Sequence, residues 1–161
     1  MALSLADLVG VVAYPSIFDL DRALEAGKKA TGAGSALVTG KVVKLTASTG
    51  VWAQGTSADV GRAGVIPKLY WGKDVNTDAS ANCIVLTGIG AEVYVEASAT
   101  IKPGSPVTFA DAGKVKIWTS GTTIIGHYVG HYGEGSGTGE SPTDATVGQP
   151  ARIRLETGEL T

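Results

Sequence analysis

From Ser35 onward, apolar and polar residues alternate along the chain. "ALVTGKVVKLTA", "GVWAQ", "AGVIPKLYW", "ANCIVLTG", "AEVYVEAS", "SPVTFA", "KVKIW", "TIIGHYVG" and "ARIRLE" are short runs rich in Val, Ile, Thr and aromatics. A period of two is that of a strand with one face buried. Turn-forming clusters separate the runs: "STG" (48–50), "GTSADVG" (55–61), "GKDVNTDAS" (72–80), "KPGS" (102–105) and "DAG" (111–113). Strands at intervals of roughly 8–12 residues with such punctuation predict an all-β fold, a small barrel or sandwich. Gly88 and Gly90, either side of Ile89, mark a bulge or tight corner between two of them.

The stretch "IKPGSPVTFADAGKVKIW" (101–118) is the best defined. Pro103 presets φ at the first central position of a turn and Gly104 supplies positive φ at the second, a type II turn. Val107 and Phe109 then share one face, and Pro106, Thr108 and Ala110 the other. Asp111-Ala112-Gly113 closes a hairpin with Gly113 in the left-handed region, and Val115 and Ile117 return on the core side. Such turns fix the register of the pair.

The first 34 residues read differently. Ser4 and Asp7 suit the cap of a short helical turn, with Leu5, Leu8, Val9 and Val12 on one face. Pro15 disfavours helix at Tyr14. "SIFDLDRALEAGKKATG" reads either as a second short helix ended by Gly27 or as an extended arm. The organisation expected is therefore an N-terminal arm or short helical segment over 1–34 and a β-barrel domain over 35–161. Within the latter, the Gly-rich run 131–150 reads as a mobile loop with almost nothing apolar to anchor it.

Composition narrows the function. Of the 161 residues, 43% are hydrophobic and 17% charged, against about 25% charged in an average soluble domain. The net charge of −2 gives no basic patch of the kind that displaces counterions from nucleic acid. A weakly charged surface rich in Ala, Ser, Thr and Gly suits packing against other subunits. The 23 glycines and 6 prolines fall short of the roughly 25–30% of low-complexity chains. A lone Cys83 excludes an intramolecular disulfide. The apolar N-terminus lacks the positive start of a secretory signal, its first basic residue being Arg22, and Asp7 interrupts a membrane span. The expectation is a protein made in the cytosol, with neither membrane nor nucleic acid among its partners.

Catalytic patterns are weak throughout. His127 and His131 sit four apart on a strand, roughly 13 Å, too far for one metal ion. "DVNTDA" (74–79) starts like a calcium loop, but Ala79 replaces the required Gly and Val85 the bidentate Glu. "GSALVTGKV" (34–42) misses the phosphate-loop spacing and has Val42 where Ser or Thr would hold magnesium. Cys83 alternates as a core thiol. Glu92 and Glu96, one face of "AEVYVEA", read as a solvated strand face in preference to a glycosidase pair. Trp52, Trp71 and Trp118, with Tyr70, read as core or interface before a sugar-stacking platform. The reading is a non-enzyme with no catalytic residue, no cofactor and no metal.

Several of these segments together, "ALVTGKVVKLTASTGVWAQGTSADVGRAGVI", "AEVYVEASATIKPGSPVTFADAGKVK", "IIGHYVG" and "ARIRL", resemble the head decoration, or capsid cement, proteins of tailed bacteriophages. The likeness covers about residues 35–156. It rests on the "GKVVKL" strand, the "GVI" after the first hairpin, and the "A-x-I-K-x-G-x-P-V" corner before "G-K-V". The resemblance implies a small β-barrel or β-tulip-like body, often trimeric, with an N-terminal arm laid on neighbouring shell subunits. It implies a virion location on the outer capsid surface, with the major capsid protein and further copies of this chain, a trimer or a dimer, as partners. Leu3, Leu5, Leu8, Val9, Val11, Tyr14, Tyr70 and Trp71 are the candidate contact residues. The alternatives are another virion β-protein of a tail or fibre, and a carbohydrate-binding β-module.

Overall fold

A computed structural model of the chain describes residues 8–14, 23–30, 37–68, 82–130 and 143–156. Eleven strands run through them: β1 (Val12–Tyr14), β2 (Leu24–Lys29), β3 (Val42–Thr46), β4 (Val51–Gln54), β5 (Ala63–Val65), β6 (Asn82–Leu86), β7 (Glu92–Glu96), β8 (Pro106–Ala110), β9 (Lys114–Ile117), β10 (Gly126–Tyr128) and β11 (Pro150–Leu155). The all-β class is as the alternation predicts. Strands β2-β4-β3-β5-β6 close into a five-stranded barrel, and β1-β7-β11-β10-β8-β9 form a six-stranded sheet.

The helical reading of residues 16–27 is overturned from Leu24 onward. Leu24–Lys29 is a barrel strand, antiparallel to β6 and parallel to β4. The barrel therefore begins before residue 35. Leu20 and Leu24 do fit a helical face, but Gly27 breaks a helix and suits a strand crossed closely by another side chain. A β-carbon on Gly27 would lie 2.5 Å from the Trp52 ring.

The sheet also curls on itself, because Ala97 at the end of β7 forms a parallel bridge with Val115 of β9. The ring β7-β11-β10-β8-β9 then repeats the barrel β2-β6-β5-β3-β4 strand for strand, including a single parallel closure. The registers coincide as well. Val43 faces Gly64 as Val107 faces Gly126. Leu24 faces Leu86 as Glu92 faces Arg154. Lys29 meets Trp52 as Ala97 meets Val115. Hydrogen bonds outside the ladders follow the same plan: Ala30 N–H to Trp52 O (2.8 Å) and Ser98 N–H to Val115 O (2.8 Å), Gly40 N–H to Ile66 O (2.8 Å) and Gly104 N–H to Tyr128 O (2.7 Å). Among the described residues, one five-stranded plan therefore occurs twice.

The interiors match position by position. Leu37, Val43, Trp52, Ile66, Cys83 and Val85 fill the first unit. Their counterparts Ile101, Val107, Val115, Tyr128, Ala151 and Ile153 are all buried in the second. The large residue has moved: Trp52 crosses Gly27 in the first unit, whereas Val115 and Val95 stand at those positions in the second and Tyr128 replaces Ile66. Counting Gly27 and Val95, the two sets hold the same total of side-chain heavy atoms. Close packing at near-constant volume lets different side chains fill the same strand framework.

The outer faces diverge in polarity. Val42, Val65 and Leu86 of the first unit join the buried cluster of the second. Their counterparts are Pro106, His127 and Arg154, of which the His127 and Arg154 side chains are 37% and 55% exposed. Between the units, Gly113 N–H donates to Gly55 O at 3.0 Å and Ser57 N–H to the Asp111 carboxylate at 2.8 Å.

The segment 101–118 folds largely as expected. Gly104 takes φ +84°, and β8 pairs with β9 through Val107–Ile117 and Phe109–Val115. The turn differs in detail, since Ala112 joins Gly113 at positive φ, and Ile117 is 39% exposed while Val115 is buried. Of the run expected to be a mobile loop, residues 143–150 are ordered: Ala145 is buried and exchanges both backbone hydrogen bonds with Ile101. The Tyr128 hydroxyl donates to Thr143 O at 2.6 Å. The remainder of that run, 131–142, lies outside the described residues.

Candidate interaction surface

The N-terminal strand is where this chain shows how it binds an extended segment. Residues 8–11 make a tight turn, Val11 N–H donating to Leu8 O at 2.9 Å. It is possible because Gly10 takes φ +79°, and because a β-carbon there would sit 2.5 Å from Thr39 Cγ2 and 2.9 Å from Gly40 N. Only glycine fits. Gly10 N–H then donates to Tyr94 O (2.7 Å), Tyr94 N–H to Val11 O (3.1 Å), and Lys68 N–H to Gly10 O (2.7 Å). The strand continues antiparallel to β7, Val12 against Val93 and Tyr14 against Glu92, with a bulge between. Gly10 thus ties the first unit, through Lys68, to the second, through Tyr94.

Four of the candidate contact residues, Leu8, Val9, Val11 and Tyr14, lie in this stretch. Leu8, Val9 and Val11 are half-buried, and Val9 lies over Gly40, whose β-carbon would be 2.6 Å from Val9 Cβ. Tyr14 is a strand residue by its backbone pairing. Leu3, Leu5, Tyr70 and Trp71 lie outside the described residues, as do the run 74–79 that starts like a calcium loop and His131. Trp52 is no part of a surface platform, being 1% exposed inside the first unit. The Arg62 guanidinium lies over its ring, 5.9 Å from the centroid. Trp118 is half-buried, with its Nε1–H donating to Thr122 O at 2.7 Å.

Charged groups are organised as structural pairs. Glu92, expected on a solvated face, is 6% exposed. It accepts from Arg152 Nε (2.6 Å) and from Arg154 Nε (3.0 Å) and Nη2 (2.8 Å). Burial pushes its carboxyl up, but the hydrogen bonds from Arg154 and Arg152 outweigh this and hold it below the usual carboxylate range. Glu96, by contrast, pairs with Lys114 at 2.7 Å. Arg62 grips Glu25, Lys44 pairs with Asp59, and His127 Nδ1 lies 2.6 Å from Glu156 Oε1. The backbone N–H of Ser57 lowers the Asp111 carboxyl. Burial pushes the Cys83 thiol up, against a smaller opposing pull from Lys29. A thiol so placed is a weak nucleophile. Among the described residues, no three His, Cys, Asp or Glu side chains gather as metal ligands.

Sequence reasoning missed the repeated plan and with it the role of Tyr94 as an acceptor of strand β1. The legible signal was the recurrence of Gly-x-x-Val before β3 and β8 (Gly40 and Val43, Gly104 and Val107) and of a glycine in β5 and β10 (Gly64, Gly126). No protein-family model matches the chain, nor does any curated protein or solved structure.

Proposed function

We propose that this protein is a structural component of a tailed-phage head, seated on the outer surface of the assembled shell and holding neighbouring capsid subunits together. The observation that carries the reading is the seating of residues 10–14. One extended segment, gripped by main-chain hydrogen bonds, clasps two separate β-units, which is the act a cement protein performs between shell subunits. The likeness of residues 35–156 to head decoration proteins and the low charge of the surface support it. Binding to the assembled shell alone would stabilise that shell at each site by about 2.7 kcal/mol at a hundredfold excess over Kd.

The test is binding to purified heads stripped of their own decoration protein. Saturable occupancy, with a rise in the temperature at which heads release DNA, is the expected result. Glycan binding without any affinity for heads refutes it. Replacing Leu3 and Leu5 together by Ser should lower occupancy while leaving the melting temperature of the free protein unchanged; undiminished occupancy removes those two residues from the contact.

A further inference from the structure

The two units differ in what covers one strand edge. On β7, residues 91, 93, 95 and 97 turn their backbone groups toward β11, as Leu155 N–H to Ala91 O (2.8 Å) and Ala97 N–H to Gln149 O (2.9 Å) show. Residues 92, 94, 96 and 98 therefore face the other way. There, Tyr94 is bonded to Gly10 and Val11, just before β1, and Ser98 to β9. The first unit has the same phase on β2: Thr87 N–H donates to Ala23 O (2.9 Å), and Ala30 N–H, the counterpart of Ser98, donates to Trp52 O. The counterpart of Tyr94 is Ala26. Its N–H and C=O face away from β6, its side chain is exposed, and among the described residues no strand pairs with that edge from 24 to 27.

We propose that the β2 edge at Leu24 and Ala26 is a second strand-acceptor slot, built like the filled one on β7. Its occupant is an extended segment of a partner protein with the chemistry of β1: a glycine followed by small and β-branched residues, running antiparallel to β2. Residues 10–14 show which segment such a slot takes. Each copy's own β1 is seated on its own β7, and the occupant proposed is therefore a segment of another protein. Ala26 in place of Tyr94 leaves the entering strand more room. Main-chain pairing supplies the affinity, and Lys28, exposed on the same face as Ala26, disfavours a cationic residue beside it. The inference stands whether or not the partner is a phage shell.

The probe is a peptide of residues 8–14, LVGVVAY, with two C-terminal lysines for solubility, added to isotopically labelled full-length protein. The expected result is slowed exchange of the Leu24 and Ala26 amides and at least tenfold weaker binding to Ala26→Pro. That substitution removes an N–H facing the open edge and leaves the β2–β6 ladder intact. The amide readout on the unaltered protein needs no variant, so a poorly folded A26P does not rescue the idea. Unchanged exchange at 24–27, protection appearing at Val93 and Tyr94 instead, or undiminished binding to a folded A26P overturns it. Self-association that A26P abolishes would assign the slot to a second copy and overturn the occupant proposed here. Head binding by the wild type with equal binding by A26P would sink this slot and leave the proposed function standing.

Discussion

If the two units are interchangeable solutions to one packing problem, the first should accept the side chains of the second. The substitutions are Gly27→Val and Trp52→Val, which install the residues found at Val95 and Val115. Alone, Gly27→Val places its β-carbon 2.5 Å from a buried indole, an overpacking that costs about 1–3 kcal/mol. Trp52→Val alone exchanges a side chain that is 1% exposed for an isopropyl group, at about 2–4 kcal/mol for the lost burial and the cavity. Together each change relieves the other: the valine at 27 grows into space the indole has left. A favourable coupling of about 2 kcal/mol is expected, within the roughly 0.5–3 kcal/mol seen for contacting residues. Adding Ile66→Tyr, the counterpart of Tyr128, should recover more, because it restores the heavy-atom count. The assay is urea unfolding followed by circular dichroism, comparing midpoints at unchanged m. Single variants whose losses simply add, within about 0.5 kcal/mol, would refute the equivalence of the two interiors.

Other consequences follow from single sites. Gly126→Ala should destabilise by at least about 1–3 kcal/mol, since its β-carbon would meet Arg154 O at 2.2 Å; a midpoint equal to wild type in the same urea titration contradicts the placement of β10. Thr108 is buried with a hydroxyl that finds no partner among the described residues, so Thr108→Val should be neutral or stabilising by up to about 1 kcal/mol, read as a melting temperature that does not fall. The Glu92 carboxyl is lowered in the folded state, so its contribution is present above the unfolded value near 4.3 and is lost as pH falls through the lowered one. Glu92→Gln should cost about 1–3 kcal/mol at neutral pH and flatten the acid limb of stability against pH; an unchanged limb places the acid sensitivity elsewhere. Gly10→Ala should unseat β1, detected as faster amide exchange at Tyr94 with the barrel strands still protected.

The strand content was legible because alternation and turn chemistry agree over most of the chain. Pro103-Gly104 and Asp111-Ala112-Gly113 specify a turn and a hairpin from local preference alone. The strand at Leu24–Lys29 was hidden because "LEAGKK" has helix-forming residues, and only its pairing with β6 and β4 overrides them. The burial of Glu92 could not be read locally either. Its partners Arg152 and Arg154 lie far along the chain and reach it only through the β7–β11 register. The repeated plan escaped because its two halves keep backbone pairings and total volume while sharing few residues.

The contrast between the Val65–Leu86 pair and its counterpart His127–Arg154 decides how far the architecture can grow. In the first unit that pair is greasy and covered by the second unit; in the second it is polar and exposed. A tandem of like modules needs such an end cap, or each molecule would offer the next a sticky terminus. Converting His127 and Arg154 to Val and Leu would leave a head-to-tail surface with nothing to close it, and open-ended filaments would be the outcome. Among the described residues, the second module turns a polar face outward where the first turns an apolar one inward.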